Sequence, residues 1–283
     1  MIRHEMTNDE PAIRRILVAL DASHHSLAAL EAAAELAAGL EAELEGLFVE
    51  DVNLLRAARL PAAREVRYPF DAAVRLDPAR MERQLRAQAE QARRALAMTC
   101  ERRRIRWSFR VARGEVTPEV LEAALEADLL SLGRTSRPLI RQARLGSTAR
   151  AAAERASSSV LLLQRDADIG PPVLATYDGS LPARKGLALA AYLARREDDY
   201  LVVLNLAATV EEEQRLQADT AAWLRRQEVL IRFRRLVEAG VERLAQLVRS
   251  EGGGVLVLSS TILPAEKIRS LLDEVDCPLL LVR

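Results

Sequence analysis

One pattern occurs twice in this chain, and it restricts the available folds more than any other feature. Ile16 to Ala37 reads ILVALDASHHSLAALEAAAELA, and Val173 to Arg195 reads VLATYDGSLPARKGLALAAYLAR. In each copy an apolar run ends on Asp-x-Ser, and small or apolar residues then recur at helical spacing. Asp21 and Asp178 lie 157 residues apart, and the same offset brings Leu30 onto Leu187 and Leu47 onto Leu204. Self-similarity over a domain-sized interval marks an internal duplication. The connector Asp166 to Pro172 contains Gly-Pro-Pro, which continues neither a helix nor a central strand. The expected units are therefore residues 13–165 and 171–283.

Within the first unit, strands are predicted at Ile16 to Leu20, Glu43 to Val49, Ile105 to Val111, Leu129 to Leu132 and Val160 to Gln164. Helices are predicted at Leu27 to Gly39, near Pro118 to Ala127, and at Thr148 to Ala156. Met81, Leu85, Ala89, Ala92, Leu96 and Cys100 recur every three or four residues and form the buried stripe of a further helix. Asp51 to Pro78 reads as a long irregular segment. The second unit repeats the order, with strands at Val173 to Tyr177, Tyr200 to Leu206, Val229 to Phe233, Val255 to Leu258 and Pro278 to Val282, and lacks that segment. Short apolar strands alternating with amphipathic helices specify an α/β fold: two tandem, open, parallel five-stranded sheets with helices on both faces, of Rossmann-like type. The apolar final strands, Val160 to Leu163 and Leu279 to Val282, would leave unpaired edges unless joined to something.

Open parallel sheets bind ligands beyond the carboxyl ends of their strands. After the fourth strand the first unit reads GRTSRPLIRQARLGSTARAAAE. Gly133 permits a sharp turn, and Gly146-Ser147-Thr148 opens a helix whose free amides and dipole suit a phosphate. Asp21 also reads as an N-cap of the helix after it.

These residues resemble the universal stress protein family, whose phosphate signature is Gly, two residues, Gly, nine residues, Gly, then Ser or Thr. The chain offers Gly133, Arg134 and Thr135, Ser136, nine residues from Arg137 to Leu145, and Gly146-Ser147. Ser136 replaces the second Gly, and Ala22 replaces the Gly of the Asp-Gly-Ser turn that Asp178-Gly179-Ser180 retains. The resemblance implies a fold of the adenine nucleotide α-hydrolase-like type and ATP as ligand, with or without Mg2+, ADP and AMP being alternatives. Asp21 would hold the adenosine part, Ala19 and Val49 would line the adenine pocket, and Gly133, Arg134, Ser136, Gly146, Ser147 and Thr148 would surround ribose and phosphates. It also implies a stress-response role, an internal pseudo-dimer or a homodimer, and an unidentified protein partner. Arg137, Arg141 and Arg144 lie in the intervening loop and would offset phosphate charge.

The second unit has Ser259 where Gly133 stands, no later Gly-Ser, and eight residues fewer between the fourth strand and the closing arginine. It is expected not to bind nucleotide in this way. His24 and His25 lack the further His and clustered carboxylates of a metal or catalytic set, so no metal site and no catalytic residue is assigned. Arg56, Arg59, Arg64 and Arg67 are interleaved with Asp51, Glu65 and Asp71, the pattern of a solvated loop or lid more than of a surface for acidic ligands or RNA. The 41 basic and 41 acidic residues cancel, which disfavours a general cationic field for nucleic acid or anionic lipid. No Walker loop, Gly-x-Ser-x-Gly elbow, Gly-x-Gly-x-x-Gly, Ser-Gly-Gly-x-Asp-Ser or His-x-Gly-His motif is present, so fast turnover is not expected. Two cysteines without a CxxC, no signal-like apolar core at the start and no spanning apolar stretch lead to an expected cytoplasmic location away from membranes. A scaffold of the same fold that has lost nucleotide binding is the alternative reading.

Overall fold

The computed structural model describes residues 13–60, 64–67, 72–75, 77–134, 146–163, 169–196, 200–227, 229–237, 240–252 and 254–283. In the first half the order is β1 (Arg15–Ala19), α1 (His24–Leu40), β2 (Glu43–Asp51), α2 (Val52–Ala58), β3 (Arg64–Arg67), β4 (Ala72–Arg75), α3 (Pro78–Arg103), β5 (Trp107–Gly114), α4 (Val116–Ala123), β6 (Leu129–Gly133), α5 (Ser147–Arg155) and β7 (Ser159–Leu163). The second half contributes β8 (Val173–Tyr177), α6 (Leu181–Arg196), β9 (Tyr200–Leu206), α7 (Val210–Leu224), β10 (Leu230–Leu236), α8 (Val241–Ser250), β11 (Val255–Ser259), α9 (Ala265–Glu274) and β12 (Leu279–Val282).

Local chemistry sets these boundaries. Ser23 caps α1 by accepting from the Ser26 amide, and the helix ends where Glu41 turns left-handed. Asp77 caps α3 ahead of Pro78, whose missing amide costs nothing in a first turn, and Arg104 ends the helix in the left-handed region. The α3 stripe buries Leu85, Ala89, Ala92, Leu96 and Cys100 as expected, with Thr99 added and Met81 only partly covered. The segment Asp51 to Pro78 is not irregular throughout. Asp51 accepts from the Asn53 amide at 2.8 Å and so starts α2 directly from the end of β2, while β3 and β4 pair antiparallel.

Among the described residues ten strands form one sheet in the order β10-β9-β8-β11-β12-β7-β6-β1-β2-β5. Each half is parallel, and the halves meet where β12 runs antiparallel to β7, with Leu279, Leu280 and Leu281 opposite Leu162, Leu161 and Val160. The two separate sheets expected from the sequence are therefore a single one. Each final strand covers the other's apolar edge, which removes the unpaired backbone groups that an edge exposes. Central strands are buried on both faces: Ile16 and Val18 join the core beneath α1, α3, α6 and α7, and Leu17 joins the core beneath α4, α5, α8 and α9. No described helix is long and apolar enough to cross a membrane.

Candidate functional site

In the first half the chain leaves β1 toward β2 and β5 on one side, then returns through β6 and β7 on the other. Between β1 and β6 the crossovers diverge, which opens a crevice at the strands' carboxyl ends. A cavity of about 670 Å³ occupies it, within the usual size range of small-molecule pockets. Leu20, Leu47, Phe48, Val49 and Leu132 supply apolar wall. Polar groups arrive chiefly from helix starts, Asp21 and Ser23 before α1, Glu115 and Thr117 at α4, and Gly146, Ser147 and Thr148 at α5, with Gln88 added from the body of α3.

Gly146 is the N-cap of α5 and gives that helix no side-chain cap, and Glu115 gives α4 none. Two helix openings with their amides uncapped by side chains thus border one cavity, an arrangement suited to anionic oxygens. The Thr117 and Thr148 hydroxyls lie 3.0 Å apart and tie the two openings together. One Asp21 carboxylate oxygen accepts from the Ser23 amide at 3.0 Å, so Asp21 closes the turn while Ser23, not Asp21, caps α1. Gly133 is required by proximity: a Cβ there would stand 2.8 Å from the His25 Cβ and 2.9 Å from its backbone carbonyl.

The structure therefore gathers Ala19, Asp21, Val49, Gly133, Gly146, Ser147 and Thr148 around one cavity. Arg134 goes elsewhere. It is 5% exposed and its guanidinium donates to the Val275 carbonyl at 2.8 Å, in the second half. Burial pushes that guanidinium below the usual arginine range, with neighbouring Cys277, Asp276 and Asp273 acting against the shift. Ser136, Arg137, Arg141 and Arg144 lie outside the described residues. Thr117, Glu115 and His25 also line the cavity; the start of a helix after a third strand was the one signal in the sequence for the first two. Arg56 sits near the rim, 3.8 Å from Glu115, with both side chains more than half exposed. Among the described residues no group of three or more His, Cys, Asp or Glu side chains is placed to hold a metal ion.

The family profile described as the universal stress protein family matches residues 12–164, more than half of the chain. The chain belongs to the universal stress protein family. Its fold is similar to a universal stress protein from Archaeoglobus fulgidus DSM 4304, at 14% identity over 94% of this chain and 97% of that one, with a TM-score of 0.70. It is also similar to a functionally unknown protein from Pseudomonas aeruginosa PAO1, at 15% identity over 96% and 93% of the two chains, with a TM-score of 0.62. No curated protein sequence matches the chain.

At the equivalent positions the second half of this universal stress protein carries more polar side chains and a hydroxyl network of its own. At the 157-residue offset, Ala19, Leu20 and Phe48 become Thr176, Tyr177 and Asn205, and after the fourth strand Gly133 becomes Ser259. The Thr261 hydroxyl donates to Asp178 at 2.9 Å and lies 2.7 Å from the Ser259 hydroxyl and 3.1 Å from that of Ser180. Ser180 accepts from the Ala183 amide, so the serine caps α6 and Asp178 braces Thr261 instead of capping. Tyr177 is buried, which raises its phenol above the ordinary range against opposing contacts from Arg184 and Thr220.

Proposed function

We propose that the first half binds an adenine nucleotide, ATP first and ADP or AMP as alternatives, in a regulatory role without fast catalysis. The observation that carries this reading is the α5 opening at Gly146-Ser147-Thr148, which has no side-chain cap and borders the same cavity as Asp21 and the apolar wall from β1 and β2. The phosphates take the amides of α5 and the Ser147 and Thr148 hydroxyls, the adenosine part takes Asp21, and the base lies along Ala19 and Val49. Ser136 is assigned to the phosphate end by its place in the motif, and the Gly133 and Arg134 backbone sets the turn. The cavity's polar groups serve binding: no side chain is assigned as nucleophile or general base.

We read residues 13–165 as the binding unit and 171–283 as a unit that carries its own hydroxyl network at the equivalent positions. Two unpaired, buried cysteines suit a reducing cytoplasm. The antiparallel junction of β7 and β12 supports an internal pseudo-dimer, to which an unidentified protein partner or a second chain would attach. Replacing Gly146 with Arg puts a long side chain across the α5 opening. Heat-denatured wild-type protein is expected to release adenine nucleotide, and Gly146→Arg protein with an unchanged circular dichroism spectrum is expected to release none. Equal uptake by the variant would remove the site assignment. The second reading, a scaffold without nucleotide, is favoured by the second half, which lacks the Gly-Ser helix opening; calorimetric titrations of the wild type with ATP and ADP, flat with and without Mg2+, would favour it over nucleotide binding.

A further inference from the structure

The second half is placed to do more than fill the sheet. Arg134 follows β6, and its backbone bridges two elements: its amide donates to Leu163 at the end of β7, and its carbonyl accepts from the Gly146 amide, both at 2.7 Å. Its guanidinium meanwhile donates to Val275, the residue that ends α9. The residue that frames the start of α5 is therefore anchored in the second half.

A reciprocal contact holds the other end of that helix. Arg283, after β12, donates to the carbonyls of Ala152, Ala153 and Ala156, the closing turn of α5. A cation against the last carbonyls of a helix adds donors where the helix runs out of its own and complements its dipole. Helix α5 buries Ala149, Ala151, Ala152 and Ala153, residues whose short side chains give packing little hold on helix position. The two arginines supply what alanine packing does not.

We propose that Arg134 and Arg283 are positioning residues through which the second half holds α5, and with it the anion-facing amides at Gly146 to Thr148, in register with the cavity. This rests on the nucleotide reading above and extends it: the half without the Gly-Ser helix opening is a built-in support for the half that has it. By reciprocity, nucleotide on α5 tightens the junction between α5 and α9.

The test uses Arg134→Met and Arg283→Met in the full chain, since methionine keeps the apolar bulk of the stem and removes the donors. Amide hydrogen exchange is followed at Gly146, whose partner is Arg134, and at Ala156, whose partner is Ala152, against Leu20 bonded to Leu47 as an internal standard. The expected result is faster exchange at Gly146 in Arg134→Met and at Ala156 in Arg283→Met, with Leu20 unchanged and ATP bound about tenfold more weakly by each, toward the low end of ordinary site-to-site coupling. Uniformly faster exchange, or variants that bind ATP like a wild type that binds it, would overturn the proposal. If Arg134→Met does not fold, Arg283→Met decides alone. If the wild type takes up no ATP, the nucleotide reading falls, and exchange alone judges the clamp: faster exchange confined to Gly146 and Ala156 upholds it, and unchanged exchange refutes it.

Discussion

Ala22 sits in the left-handed region with φ 57°, at the position where the second half has Gly179 with φ 79°. The turn after the first strand keeps one backbone shape in both halves, and in the first half an L-residue occupies it under strain of roughly 1–2 kcal/mol. Ala22→Gly removes the Cβ conflict but adds backbone freedom to the unfolded chain, so the net gain in unfolding free energy is expected to be about 0.5–1 kcal/mol. Chemical denaturation checks this, and a loss of stability would mean that the turn is set by something other than φ. Seven of the nine nucleotide-site residues expected from the sequence line the cavity, because strand ends and helix starts are local features that a sequence displays. By its place in the motif Arg134 belongs to the phosphate set. Its partner, Val275, is 141 residues away, and nothing local marks a carbonyl that far along the chain as its target.

At the scale of elements, each strand of the ten-stranded sheet appears close to its expected place, because an apolar run between turn signals has few other solutions. The α2 helix and the β3–β4 pair were hidden for opposite reasons: α2 is seven residues long and starts from the last residue of a strand, and the pair spans four residues on each side. Beyond the individual elements, the approach of β6 to α1 sets the floor of the cavity. Gly133 closes β6 against the backbone of His25 in the first turn of α1, and backbone cannot swing aside as a long side chain can. Gly133→Ala is expected to cost about 1–3 kcal/mol, the range for overpacking a well-filled site. It should also lower nucleotide uptake, since a displaced first turn of α1 carries Asp21 and Ser23 with it. Thermal denaturation and nucleotide release on the same sample test both effects; an unchanged melting temperature would show that the helix yields at no cost.

For the whole molecule, the duplication was legible from the 157-residue offset, but the way the copies join was visible only as two apolar strands in need of a partner. The junction makes the halves mechanically dependent. Leu161 and Leu280 are fully or almost fully buried and face each other across β7 and β12, and the α5 and α9 helices cover one side of the same seam. A sheet whose halves meet strand to strand at β7 and β12 cannot lose one half without baring the final strand of the other. Calorimetry of the full chain should therefore show one cooperative unfolding transition, although a two-copy chain of this length would ordinarily be a candidate for two. Leu280→Asp places a carboxylate in the seam with no partner in the leucine ladder, a change that costs several kcal/mol wherever such a charge stays buried. It is expected to separate the transition into two, the weaker half unfolding first. Two transitions already present in the wild type would show that the halves are neighbours without being coupled, and would weaken the case for α5 being held from the far side of the seam.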